Sequence, residues 1–164
     1  MSGAGRVMCP VCAAAGGIGG LIGKLYRRLD RVPYTMLAIP LRLAVAVIFW
    51  NSAMTKLADW NAALFLFEEE YRVPLLPPEL AANLALAIEI TTPVLLVLGL
   101  LTRIAAVVLL GMTAVIEIFV YPQAWPTHIQ WAAMLLVLLC RGAGTISIDA
   151  FIQYLQVRSH ATPQ

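Results

Sequence analysis

Four stretches of this chain stay apolar long enough to cross a bilayer, and that feature constrains the fold more than any other. They run from about residue 37 to 55, 80 to 101, 104 to 121, and 127 to 140, the last with a possible continuation to 146. A helix rises about 1.5 Å per residue and a hydrocarbon core is about 30 Å thick. The first three stretches therefore match a full span, and the fourth is the shortest. Of the 164 residues 61% are hydrophobic and 12% charged, against roughly 45–50% and about 25% in soluble domains. One water-soluble core cannot hide that much apolar surface, whereas lipid can face it. The expected fold class is all-α, an integral membrane four-helix bundle with short interfacial helices.

Orientation follows from the cations. Arg6, Lys24, Arg27, Arg28, Arg31, Arg103, Arg141 and Arg158 fall on one side of four alternating helices, and Lys56 and Arg72 on the other. The first side is read as cytoplasmic, with both termini on it. Residues 1–32 form a Gly-rich segment carrying Cys9-Pro10-Val11-Cys12 and then a basic stretch. Its apolar run is interrupted by Gly16, Gly17, Gly19, Gly20 and Gly23, which suits neither a secretory leader nor a strong span. A re-entrant or interfacial piece is expected there. Residues 33–146 are read as the transmembrane domain and 147–164 as an interfacial helix and tail.

The first outer loop places Trp60, Leu64, Phe67 and Tyr71 on one helical face beside Glu68, Glu69 and Glu70. This predicts a short amphipathic helix on the membrane surface, ended by Pro74, Pro77 and Pro78. Gly142-Ala143-Gly144 ends the fourth span. Ser147 or Asp149 is then expected to cap a last helix with Ile148, Ile152 and Leu155 on one face.

Ionisable side chains inside a bilayer are costly and point to function. Glu89, Glu117 and Arg42 lie inside the predicted spans, with Asn51 and His128 as polar companions. Counted from the cytoplasmic helix ends, Glu89, Glu117, Asn51 and His128 come out about 18–21 Å deep, and Arg42 about 8 Å. Three uses of one shared level stay open. A polar clasp would hold the bundle by hydrogen bonds. A proton relay or quinone head-group site would use Glu89, Glu117 and His128 as catalytic groups. A metal site would take two carboxylates and a histidine, but the usual helical Glu-x-x-His spacing is absent, and no metal is assigned. Pro93 has no N–H to return to the Glu89 carbonyl, which adds a polar group at the same depth. On the third span Thr113, Glu117 and Tyr121 form a stripe at i, i+4 and i+8.

Arg42 either snorkels to the inner surface or pairs with Glu89. Lys56 either anchors the outer interface or attracts an anionic substrate such as thiosulfate. Arg42, Asn51 and Lys56 are the candidate substrate-binding residues. Cys9 and Cys12 form a C-x-x-C that suits thiol–disulfide exchange or half a metal site, against a reading as inert thiols in a tail. Cys140 is read as packing. The net charge of +2 gives no case for nucleic acid.

Several segments, in their order and spacing, resemble the DoxX family of small bacterial membrane proteins. They are Asn51-Ser52-Ala53-Met54-Thr55-Lys56-Leu57, Ile88-Glu89, Leu98-Gly99-Leu100-Leu101-Thr102-Arg103, and Gly142 through Asp149. The resemblance covers roughly Leu41 to Ile152. Ser52 and Ala53 stand where the family usually has a glycine, and Thr91-Thr92-Pro93 where it often has glycines. It implies a four-helix fold in a bacterial inner membrane and an association with sulfur and thiol redox chemistry. The related DoxD proteins are a subunit of thiosulfate–quinone oxidoreductase. The resulting expectation is a subunit of a redox system that links thiol or sulfur compounds to the quinone pool. Quinone is then the candidate cofactor, and the bilayer and soluble or membrane redox proteins are the partners. The alternative is a non-enzymatic scaffold that anchors or assembles soluble partners.

Overall fold

A computed structural model describes residues 18–71 and 76–160. The chain divides into two compact units, residues 1–33 and 34–164. In the first, α1 (Ile18–Leu29) ends with Arg27 and Arg28 in its last turn. Ile22, Leu25 and Leu29 stand at i, i+3 and i+7 and are exposed. Cys9 and Cys12 lie outside the described residues.

The second unit is an all-α, integral membrane four-helix bundle. Its long helices are α2 (Tyr34–Ala58), α4 (Pro78–Leu98), α5 (Thr102–Val115) and α6 (Trp125–Arg141). A π-helical turn, Ile116–Val120, prolongs α5. With that turn, α2, α4 and α5 are each long and apolar enough to cross a membrane. The 17-residue α6 is the shortest of the four, about 26 Å long. The main contacts run in a ring, α2 to α4 to α5 to α6 and back to α2. Val45, Phe49, Leu96, Leu109, Leu135 and Leu138 meet at its centre and are fully or almost fully buried. Leu43, Val47, Val107, Ile118, Ile129 and Leu136 remain exposed. These helices are apolar on both their inner and outer faces, as buried-in-lipid helices must be.

Between α2 and α4 comes α3 (Trp60–Leu66), capped by the Asp59 carboxylate, which accepts from the Ala62 amide at 2.9 Å. A π-helical turn, Phe67–Tyr71, continues it. The predicted apolar face exists, but it is not simply laid on a membrane surface. Trp60, Leu64, Phe67 and Tyr71 pack on Ala81 and Ala82 of α4, where small side chains leave room for the rings. Pro74 lies outside the described residues, while Pro77 and Pro78 start α4 in the positions that need no amide donor.

The opposite end of the bundle is tied by the glycine-rich segments. Gly99 ends α4 in the left-handed region, with φ 65°, and the Leu100 amide reaches back to the Leu95 carbonyl at 2.9 Å. Leu101 is also left-handed, at φ 50°, unusual for a branched residue. Asp149 holds this turn: its carboxylate accepts from the Leu101 and Thr102 amides at 2.8 and 3.1 Å. Asp149 therefore caps α5 from a distance. Ser147 caps the last helix, α7 (Ile148–His160), by accepting from the Ala150 amide at 3.1 Å. Of the two capping candidates, each takes a different helix.

Candidate functional site

Glu89 sits in mid-α4 with 2% of its surface exposed. A carboxylate so placed needs a cation and hydrogen bonds to offset its lost solvation. Lys56 supplies the cation, its Nζ 2.8 Å from both Glu89 oxygens. Ser52, one turn before Lys56 on α2, donates to Glu89 Oε1 at 3.0 Å and accepts from Lys56 Nζ at 2.9 Å. Ser52 is thus part of the pair's hydrogen-bond network. Lys56 does not snorkel outward as an interface anchor; its stem folds inward and only 15% of its side chain is exposed.

A second pair stands nearby. His128 Nδ1 lies 2.6 Å from Glu117 Oε2, with 7% and 31% of the two side chains exposed. Nδ1 is the donor toward an ionised Glu117, and in the neutral imidazole that tautomer makes Nε2 an acceptor. His128 is placed by the first turn of α6, and Glu117 by the π-helical turn that ends α5. The wider π turn breaks the expected stripe. Thr113 is buried and bonds the Leu109 carbonyl, whereas Tyr121 is half-exposed and reaches Glu70.

A cavity of about 420 Å³ joins these groups. Ser52, Lys56, Glu89 and His128 are its polar wall, and the aromatic residues Phe49, Phe67, Tyr71, Tyr121 and Trp131 line it together with aliphatic side chains such as Ile88. Glu117 is not part of the lining and touches the cavity only through His128. The rings pack edge-to-face, Phe49 against Trp131 at 5.6 Å and Tyr71 against Tyr121 at 5.6 Å. At its rim the Tyr121 hydroxyl donates to Glu70 Oε1 at 3.1 Å and lies 3.4 Å from the Tyr71 hydroxyl. The hydrogen bond with Tyr71, then burial, then Glu70, raise the Tyr121 pKa well above the ordinary phenol value.

The other sequence candidates stand elsewhere. Arg42 neither snorkels nor pairs with Glu89. It is buried, and its Nη1 donates to the Ala143 and Ile146 carbonyls, both at 3.2 Å, so it ties α2 to the glycine-rich loop after α6. Its Nε has no partner among the described residues. Asn51 is exposed and borders a separate groove between α2 and α4. Neither residue lines the cavity. The single polar level therefore resolves into the Lys56–Glu89 ion pair, a His128–Glu117 hydrogen bond and an outward-facing Asn51. Among the described residues no group of three His, Cys, Asp or Glu side chains is arranged to hold a metal. Sequence reasoning passed over Ser52, Tyr71 and Phe67 as wall residues. The signal for Ser52 was its spacing, one helical turn before Lys56.

The DoxX family model matches residues 37–122, more than half of the chain. It spans α2 to α5 and the Lys56–Glu89 pair, and stops before His128 and Asp149. An uncharacterized protein of Haemophilus influenzae is 28% identical, over 69% of this chain and 81% of that one. No solved structure matches. The run of motifs, the helical bundle and the matched segment agree: the chain belongs to the DoxX family.

Proposed function

We propose that this protein is a quinone-binding subunit of a redox system in the bacterial inner membrane, linking thiol or sulfur compounds to the quinone pool. The observation that carries this reading is the cavity: an aromatic and aliphatic chamber on which one buried ion pair, a hydroxyl and an imidazole converge. Its volume of about 420 Å³ lies within the roughly 300–1,000 Å³ of small-molecule sites, and a few polar groups in an apolar wall are their usual composition. A flat, neutral ring with polar oxygens suits such a wall. An anion such as thiosulfate suits it less, since both Glu89 oxygens already engage Lys56.

In this reading Lys56 and Ser52 hold the Glu89 carboxylate in place, and Glu89 and His128 exchange protons with a head-group oxygen. Glu117 positions His128. Oxidation of a dithiol to a disulfide releases two electrons and two protons, and reduction of a quinone to a quinol takes up both. Both termini are placed in the cytoplasm, following the distribution of cations.

The test pairs binding with activity. A short-chain quinone titrated into the purified protein should quench Trp131 fluorescence, measured against Trp131→Phe. Changing Lys56→Gln together with Glu89→Gln removes both charges and keeps hydrogen-bonding groups. Loss of quinone binding with unchanged helical content supports the proposal. Unchanged quinone-linked turnover would favour a polar clasp in a scaffold protein instead.

A further inference from the structure

Asn51 presents a problem that the cavity does not solve. With α2 centred in the bilayer, Asn51 is five residues past the helix midpoint, about 8 Å from it and inside the roughly 15 Å half-thickness of the hydrocarbon. Its side chain is exposed there, and no hydrogen bond to its carboxamide is formed among the described residues. Lipid tails offer no donor or acceptor, so a carboxamide facing them is left unsatisfied.

The surroundings are built for a close neighbour. Ala44, Val47, Asn51, Thr55 and Ala58 recur at three- and four-residue steps and are all exposed, forming a narrow face of small side chains. Beside it lies a groove of about 290 Å³ between α2 and α4, lined by Leu43, Val47, Trp50, Val94 and Val97 with Asn51 at its border. Small residues let helix backbones approach, and an amide within such a face joins them by hydrogen bonds.

We propose that this face of α2 is where two copies of the chain associate in the membrane, each Asn51 hydrogen-bonding its counterpart. The carboxamide identifies the occupant. It carries both donors and an acceptor and is therefore its own complement, and a two-fold contact sets the same position against itself. The proposal is independent of the cavity and its ligand, since Asn51 does not line it.

The experiment uses the full chain in phospholipid vesicles. Two populations labelled with a donor and an acceptor fluorophore should show energy transfer that rises with the protein-to-lipid ratio. Asn51→Leu should weaken this association roughly tenfold, the worth of a pair of interhelical hydrogen bonds. In a background with Cys9, Cys12 and Cys140 changed to Ser, Val47→Cys should form a disulfide-linked dimer on mild oxidation. Val107→Cys, on the lipid face of α5, should not, and adding Asn51→Leu to Val47→Cys should suppress the cross-link. Energy transfer no greater than random crowding gives would overturn the proposal. So would association that Asn51→Leu leaves unchanged, or cross-linking through Val107→Cys as efficient as through Val47→Cys.

Discussion

Lys56 sets the character of the cavity because it is turned against its usual habit. A lysine two residues from a helix end ordinarily extends toward water, yet here Nζ contacts both Glu89 oxygens at 2.8 Å. Removing one member of a buried pair strands the other charge, at a cost of about 3 kcal/mol or more. Lys56→Met should therefore lower thermal stability in detergent clearly. Lys56→Met combined with Glu89→Leu should recover most of the loss, because no uncompensated charge remains. Tyr121 belongs to the same scale. Its phenol, hydrogen-bonded with Tyr71 and beside Glu70, has a raised pKa. The unfolded phenol ionises near pH 10 while the folded one stays neutral. The contribution to stability is thus complete below about pH 10 and declines as pH rises above it. Subtracting the alkaline phenolate absorbance of Tyr121→Phe from that of the parent should show one tyrosine titrating well above the rest.

At the scale of elements, the end of the bundle opposite α3 is held by contacts distant in sequence. A Cβ added to Gly99 would collide with the Arg42 guanidinium and lie 2.6 Å from Ser147 Cβ, in a backbone conformation already unfavourable for L side chains. Gly99→Ala should cost at least about 1–2 kcal/mol from the left-handed backbone alone, read as a fall in the unfolding midpoint. Asp149 caps α5 from α7 through the Leu101 and Thr102 amides. Asp149→Ala should cost about 1 kcal/mol, as loss of an N-cap does. It should also speed hydrogen exchange at those two amides before the middle of α5 is affected. Two π-helical turns, Phe67–Tyr71 and Ile116–Val120, border the cavity from α3 and α5. Each re-aims one turn of side chains, and the second takes Glu117 off the cavity wall.

For the whole molecule, the ring of four helices gives the apolar side chains within it one of three surroundings: the packed centre, the cavity, or lipid. The exposed apolar residues on α2, α4, α5 and α6 need the third of these. Orientation in the membrane is argued from the cations, and a fusion experiment checks it. A reporter active only outside the cytoplasm should be silent after Gln164 and active when inserted near Glu69. The reverse pattern would invert the assignment.

The four apolar stretches by themselves determined the fold class, because no water-soluble arrangement accommodates helices apolar on every face. Some helix boundaries were legible for local reasons: Pro77 and Pro78 stand at the start of α4, and Gly142 accepts positive φ after α6, whereas the second stretch was carried to residue 101 and Gly99 ends α4 earlier. That Glu89, Glu117 and His128 merited attention also followed from the cost of polar groups in hydrocarbon. Their partners did not. Periodicity gives the depth of a side chain, but its direction around the bundle depends on how neighbouring helices rotate against one another. Only the tertiary structure decided that Lys56 turns inward to Glu89, that Arg42 bonds the carbonyls of the loop after α6, and that Asn51 faces away from the cavity. A single level of four polar residues became one buried ion pair with Lys56, one His128–Glu117 hydrogen bond and one lipid-facing amide because packing, not spacing, chooses which faces meet.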